Sequence, residues 1–263
     1  EDEIFKTRIK YAIGIICGGM KSANQSKIIG WQLGVMPENL TAIDFRRKDK
    51  EKTASNKIYQ VWSNLDNVER FRDAALIFGT DWGSGYFKPK ACDYCDDVVG
   101  ETADISLGDA WLPQFEKDPE GTNILIVRNE DIYDIIKKYN NKAVTLFNLT
   151  AGDVYESQVG GFRHRREALS FRIAKMNKSN LWYPPKRVKA NDYKITNKRK
   201  KIYSLRETIA EQSHISALKA LNTGDLNVFF KAMDPLKRKY HSANYGNLPT
   251  RAYKKLLKIL FRR

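Results

Sequence analysis

Apolar and polar positions follow two different periods along this chain. Up to about residue 150, short runs rich in Val, Ile, Phe and Tyr recur at 11–17, 40–45, 57–62, 103–107, 123–128 and 143–149, several bounded by Gly, Pro, Asn or Asp. Such runs predict strands. Between them, helical spacing is expected near 25–34, 66–77 and 130–139. In the last of these, Ile132, Ile135, Ile136 and Tyr139 fall at i, i+3, i+4 and i+7. Leu125, Ile126 and Val127 form a continuous apolar run, as expected of a strand covered on both faces. Beyond residue 150 the strand signal fades. Helices are predicted at about 163–177, 205–221, 224–233 and 250–261, separated by "YPPK" and by the basic connector "NDYKITNKRKK". The pattern predicts an α/β (α+β) fold: a mixed sheet with flanking helices first, then a basic helical C-terminal part.

Composition sharpens that division. The chain has 263 residues, 42% of them hydrophobic, enough for a real core. No run approaches the ~20 apolar residues of a membrane span, and "YAIGIICGGM" reads as a buried strand. The net charge of +15 is unevenly placed: residues 1–150 carry a net −3 and residues 151–263 a net +18. A basic second half of that size is expected to meet something anionic, whether nucleic acid, a membrane surface or a phosphorylated ligand. The C-terminal "NLPTRAYKKLLKILFRR" aligns Tyr253, Leu256, Leu257 and Leu260 on one face, as in a helix docked on the domain or lying on an anionic membrane.

Three cysteines are too few for a disulfide framework, and a reducing, cytoplasmic setting is the simplest reading. In "KACDYC", Cys92 and Cys95 have the spacing that places two sulfurs on one zinc ion or iron–sulfur cluster. The acidic "DDVVGE" that follows argues against a redox dithiol, which wants a stabilised thiolate. Cys17 ends the first predicted strand and runs into Gly18 and Gly19. It is either core filler or a third sulfur, beside glycines that let backbone N–H groups approach a cluster or a flavin pyrophosphate. A fourth ligand is expected either from a histidine, His164 being the least remote, or from sequence upstream of Glu1.

Other groups carry weaker signals. "ADISLGDAW" puts Gly108 and Asp109 at a strand end, either a plain turn or a carboxylate for a ribityl or ribose hydroxyl. "IDFRRKD", with Arg46, Arg47 and Lys48, is a solvated strand end or a phosphate grip. In "QVGGFRHRREALSFRIAK", Arg163, His164 and Arg166 fall near a predicted helix start, against the helix dipole. A bound anion would offset that cost.

Taken in order, "IICGGMKS", "IDFRRKD", "KACDYC…ADISLGDAW", "EGTNILIVRN" and "GGFRHRREAL" resemble the C-terminal region of the coenzyme F-420 hydrogenase/dehydrogenase β-subunit family over roughly residues 10–180. The last motif looks like the branch found beside bacterial polysaccharide-biosynthesis genes. The resemblance implies an iron–sulfur flavoprotein oxidoreductase with a 4Fe–4S cluster and FAD, fed by a ferredoxin-like partner and acting on a small-molecule or sugar-related substrate. It implies Cys17, Cys92 and Cys95 as cluster ligands. Gly18, Gly19, Lys48, Gly108, Asp109, Arg163, His164 and Arg166 are the candidate flavin-site residues. Relatives carry a further cysteine upstream, so the chain reads as shortened at its N-terminus. Residues 1–180 are then the oxidoreductase domain and 181–263 a basic helical extension. Two readings compete with this one: a zinc-stabilised nucleic-acid-binding protein, and a scaffold of the same fold without cofactors.

Overall fold

The computed structural model describes residues 3–246. Its elements, in chain order, are α1 (Glu3–Arg8), β1 (Ile13–Ile15), α2 (Ala23–Gln32), β2 (Leu40–Arg47), β3 (Ile58–Ser63), β4 (Arg70–Asp73), β5 (Ile105–Asp109), β6 (Asn123–Val127), α3 (Glu130–Tyr139), α4 (Ala151–Ser157), α5 (Val159–Phe162), α6 (Ala168–Lys178), α7 (Asn197–Thr223) and α8 (Leu226–Tyr245). A π turn spans Arg163–Glu167. The mixed α+β class and the helical C-terminal part follow the sequence pattern. The predicted helix at 250–261 lies outside the described residues. No helix among the described residues is long and apolar enough to cross a membrane.

The chain divides into two compact units built from interleaved segments. The first comprises Glu1–Gly19, Lys48–Asn56 and Cys95–Glu167; the second comprises Met20–Arg47, Lys57–Tyr94 and Ala168–Arg263.

The first unit is organised on a three-stranded sheet of order β1-β5-β6, with β1 parallel and β6 antiparallel to the central β5. Ile16, Ala110 and Ile124 form its core, with Ile126, Leu149 and Val154 packed against them. Helix α3 forms where the i, i+3, i+4 pattern predicts it, capped by the Asn129 side chain, which accepts from the Ile132 N–H at 3.2 Å. Residues 143–149, expected as a strand, make only an isolated bridge (Asn140 with Val144). They spend their apolar side chains on a cavity wall instead, with Leu146 and Phe147 facing Tyr133 and Leu125.

The second unit has an antiparallel sheet of order β2-β3-β4. Its two apolar cores meet at α2, where Ile28 packs with Tyr86, Phe87, Ile202, Tyr203 and Phe229, and Ile29 packs with Val35, Tyr59 and Val61. Each such fully buried side chain contributes about 1.5–3 kcal/mol. Helices α7 and α8 thus share one core with residues from the chain's first hundred. The predicted helix at 66–77 is a correction: those residues form β4 and a 3-10 turn. Arg70 grips Asp66 through both Nη atoms, at 2.6 and 2.8 Å, and Tyr59 to Val61 of β3 register with Arg72 to Arg70 of β4. A ladder to a neighbouring strand overrides a local helical spacing that had no partner to bury against.

Candidate functional site

In the first unit, the parallel pair β1–β5 sets the geometry. Ile15 stands opposite Leu107, and the Ile16 N–H donates to the Leu107 carbonyl at 2.7 Å. Both strands therefore run out at the same end of the sheet, β1 into Cys17-Gly18-Gly19 and β5 through Gly108-Asp109. The carboxyl ends of parallel neighbours are where such sheets leave a crevice for ligands.

Gly108 is dictated by packing. A Cβ there would run into the Ile16 Cβ and stand 3.1 Å from its Cγ1. The Asp109 carbonyl accepts from Gln158 Nε2 at 2.8 Å and from the Ser157 hydroxyl at 3.4 Å, tying the end of α4 to this edge. Lys48 reaches the same end. Its ammonium donates to the Glu120 carbonyl and, at 3.4 Å, to that of Pro119, in the turn feeding β6, whose Asn123 faces Asp109.

At Cys17 the sulfur accepts the Gly19 N–H at 3.2 Å. Gly19 holds φ +124°, a region that residues with side chains rarely enter. Cys95 Sγ donates to the Asp97 carbonyl at 3.4 Å. The Asp97 carboxylate in turn accepts the N–H groups of Val99, Gly100 and Glu101 at 3.1, 2.9 and 3.2 Å, fixing the loop that follows Cys95.

The basic motif packs on that loop. Arg165, buried, donates to the Asp97 carbonyl, and Arg166 donates to the Glu101 carboxylate. Arg163, His164 and Arg166 lie within the π turn, with α5 before them and α6 after, so they do not open a helix. The dipole cost inferred from the sequence is therefore absent, and at Arg166 a carboxylate of the same unit supplies the counter-charge. Arg165, the deepest of the set, carried no sequence signal that set it apart from its neighbours.

Cys92 belongs to the second unit, on the 3-10 turn Lys90–Asp93, where its N–H donates to the Pro89 carbonyl at 3.0 Å. This turn borders a group of charges that the sequence did not reveal. Asp93, 3% exposed, pairs with Lys88, and its backbone carbonyl accepts from Arg172 Nε at 3.0 Å. Burial lowers Lys88 and Arg172 from their ordinary values while Asp93 opposes the shift. Lys21 donates to the Tyr86 carbonyl. Burial, then the charges of Arg206 and Lys88, bring its ammonium down to about 7. Ser22 stands at the N-cap of α2 without a side-chain cap bond, and its hydroxyl lies 3.3 Å from His214 Nδ1.

The three cysteines are partly exposed thiols outside any disulfide. Among the described residues, no group of three or more His, Cys, Asp or Glu side chains is arranged to hold a metal ion. Each cysteine sulfur is a soft ligand, suited to iron–sulfur or zinc chemistry rather than to Mg²⁺ or Ca²⁺.

The parallel pair β1–β5 thus brings Cys17-Gly18-Gly19 and Gly108-Asp109 to one end of the sheet. The chain belongs to the family described as the C terminus of the coenzyme F420 hydrogenase/dehydrogenase beta subunit, whose sequence model matches residues 1–151. Membership makes it a redox protein of the oxidoreductase class, with redox partners in general. No curated protein matches the chain.

Proposed function

We propose that the chain is an iron–sulfur flavoprotein oxidoreductase that takes electrons from a ferredoxin-like donor and delivers them to a small-molecule, sugar-related substrate in polysaccharide biosynthesis. The observation that carries this reading is the common end of β1 and β5, where Cys17-Gly18-Gly19 and Gly108-Asp109 leave the sheet side by side.

On this reading Cys17, Cys92 and Cys95 hold a 4Fe–4S cluster, with the fourth ligand either His164 or a residue upstream. Gly18, Gly19, Lys48, Gly108, Asp109, Arg163, His164 and Arg166 serve the FAD, and all eight fall in the first unit. When bound, the cluster carries single electrons and the flavin couples them to two-electron chemistry. The protein's share is positional and electrostatic. The Gly19 N–H points a donor at the Cys17 sulfur, which stabilises a more negative sulfur. Lys48 and Arg163 add positive charge for a phosphate or a reduced ring. The setting is cytoplasmic, and the basic C-terminal segment offers a peripheral membrane contact.

Anaerobic purification followed by an absorption spectrum and iron, sulfide, flavin and zinc analysis tests the proposal. A flavin band with a broad iron–sulfur shoulder, whose iron is lost in Cys92→Ser and Cys95→Ser, supports it. Colourless protein with stoichiometric zinc sinks it.

A further inference from the structure

Helix α3 carries an apolar face without a core to bury it. Its Asn129 cap and its i, i+3, i+4 and i+7 spacing are those of a helix packed along one side, yet none of its 10 residues is buried. Helices in proteins owe most of their stability to such packing, so a bare face asks what covers it. Ile136 of that face, with Tyr133 beside it, borders a cavity of about 400 Å³ in the first unit. β6 contributes Leu125 to the wall, the 143–149 segment contributes Leu146 and Phe147, and α4 contributes Val154. Tyr133 is 54% exposed and Phe147 65%.

The lining has a definite chemistry. Among the described residues, no Asp, Glu, Lys, Arg or His side chain lines the cavity; Lys137 stands over the Tyr133 ring at 5.8 Å but is not part of the wall. A charged group entering it would lose water and meet no counter-charge in the wall. The Phe115 and Phe147 rings stand 6.1 Å apart at 42°, and with Tyr133 they present aromatic surface to a planar ring. Asn123, Thr145 and Asn148 add neutral donors and acceptors, and their side chains make no hydrogen bond among the described residues. The volume suits a small molecule, whose pockets span about 300–1,000 Å³. A partner helix, about 10–12 Å across, would fit roughly one turn into it.

We propose that this cavity binds a neutral, planar aromatic small molecule with a hydrogen-bonding substituent. Its ring lies against Tyr133, Ile136 and Phe147, and its polar group meets the side chain of Asn123, Thr145 or Asn148. Filling the cavity covers apolar surface of α3 that the fold leaves open. The site does not rest on the flavin reading. None of the candidate flavin residues lines it, and the phosphates of FAD would meet a wall without a cation.

The test is fluorescence titration of the full-length protein with N-phenyl-1-naphthylamine, a neutral aromatic probe whose emission rises in apolar surroundings. Saturable binding is expected. Thr145→Trp fills the cavity and Leu146→Asp places an unpaired carboxylate in its wall, and each should weaken binding by about tenfold or more. Trp182→Ser, which removes an exposed ring of the second unit, should bind as the wild type does. 1-Naphthol should displace the probe and 1-naphthoate, the same ring with a carboxylate, should not. Circular dichroism separates weak binding from failure to fold, and either cavity variant serves if the other unfolds. No saturable binding, binding undiminished in both cavity variants, or displacement by naphthoate as readily as by naphthol overturns the proposal. A dimer that Leu146→Asp dissociates, in a protein that takes up no probe, overturns it in favour of a second copy of the chain on this face. Displacement by FAD or FMN overturns the separateness of the two sites. The readout is the probe's own emission, so a protein that fails to bind flavin but binds the probe counts against the flavin reading alone.

Discussion

Gly108 lies directly on Ile16: the backbone of β5 comes so close to β1 that no side chain fits between them. The contact closes the parallel pair at the end where Cys17 and Asp109 emerge. Gly108→Ala should therefore force β1 away from β5 and cost about 1–3 kcal/mol. Urea unfolding should show the loss. Removing the opposing Cβ in Gly108→Ala/Ile16→Gly should make the double variant less destabilised than the sum of the two single changes, whereas additive losses in that cycle would mean the two residues do not press on each other.

Asp93 is the counter-charge on which the buried cations of the second unit depend. Asp93→Asn leaves Lys88 without its carboxylate at a buried position, a change expected to cost about 3–5 kcal/mol. Equilibrium denaturation measures it. A loss below about 1 kcal/mol would place Asp93 among solvent-screened surface pairs.

Lys21 gives a pH signature. Its ammonium titrates near 7 in the folded protein, against about 10.4 in an unfolded chain. Between those values the unfolded chain binds the extra proton, so stability should rise with pH across that window, with the penalty fully present below about 7. Lys21→Met removes the dependence: its advantage over the wild type should be largest below pH 7 and shrink toward pH 10. Parallel pH profiles for the two proteins would contradict the assignment.

Asp97 holds three consecutive amides with one carboxylate. In Asp97→Ala, hydrogen exchange at Val99, Gly100 and Glu101 should accelerate, with about 1–3 kcal/mol lost as the partly buried N–H groups lose their acceptor.

Where local pattern and tertiary demand agreed, the sequence was readable. Helix α3 has both an amphipathic face and an Asn cap, and it forms at the expected residues. The strands β2, β3, β5 and β6 lie within a few residues of the apolar runs that announced them. Residues 66–77 failed because their helical spacing competed with the preceding strand β3, whose pairing with Arg70–Asp73 lies outside the stretch that shows the helical spacing. Arg163, His164 and Arg166 were found as a cluster, but their relation to the helix was misjudged. They fall in a π turn preceded by α5, where Arg165 reaches the Asp97 carbonyl. The cysteines and the Gly-Asp pair were legible as motifs. The buried quartet of Lys21, Lys88, Arg172 and Arg206 was not. Its members are scattered over nearly 190 positions, and each alone looks like an ordinary surface cation in the sequence.

The interleaving of the two units limits how the chain can be dissected. A fragment ending at residue 151, where the family match stops, keeps Ile28, Tyr86 and Phe87 but discards Ile202, Tyr203, Phe229 and Met233. The retained aromatic side chains would then face water, and the cut piece would be sticky and prone to aggregate. Domain boundaries drawn from the family match alone would split a hydrophobic core, and expression trials are better served by keeping α6, α7 and α8 with the sequence that precedes them.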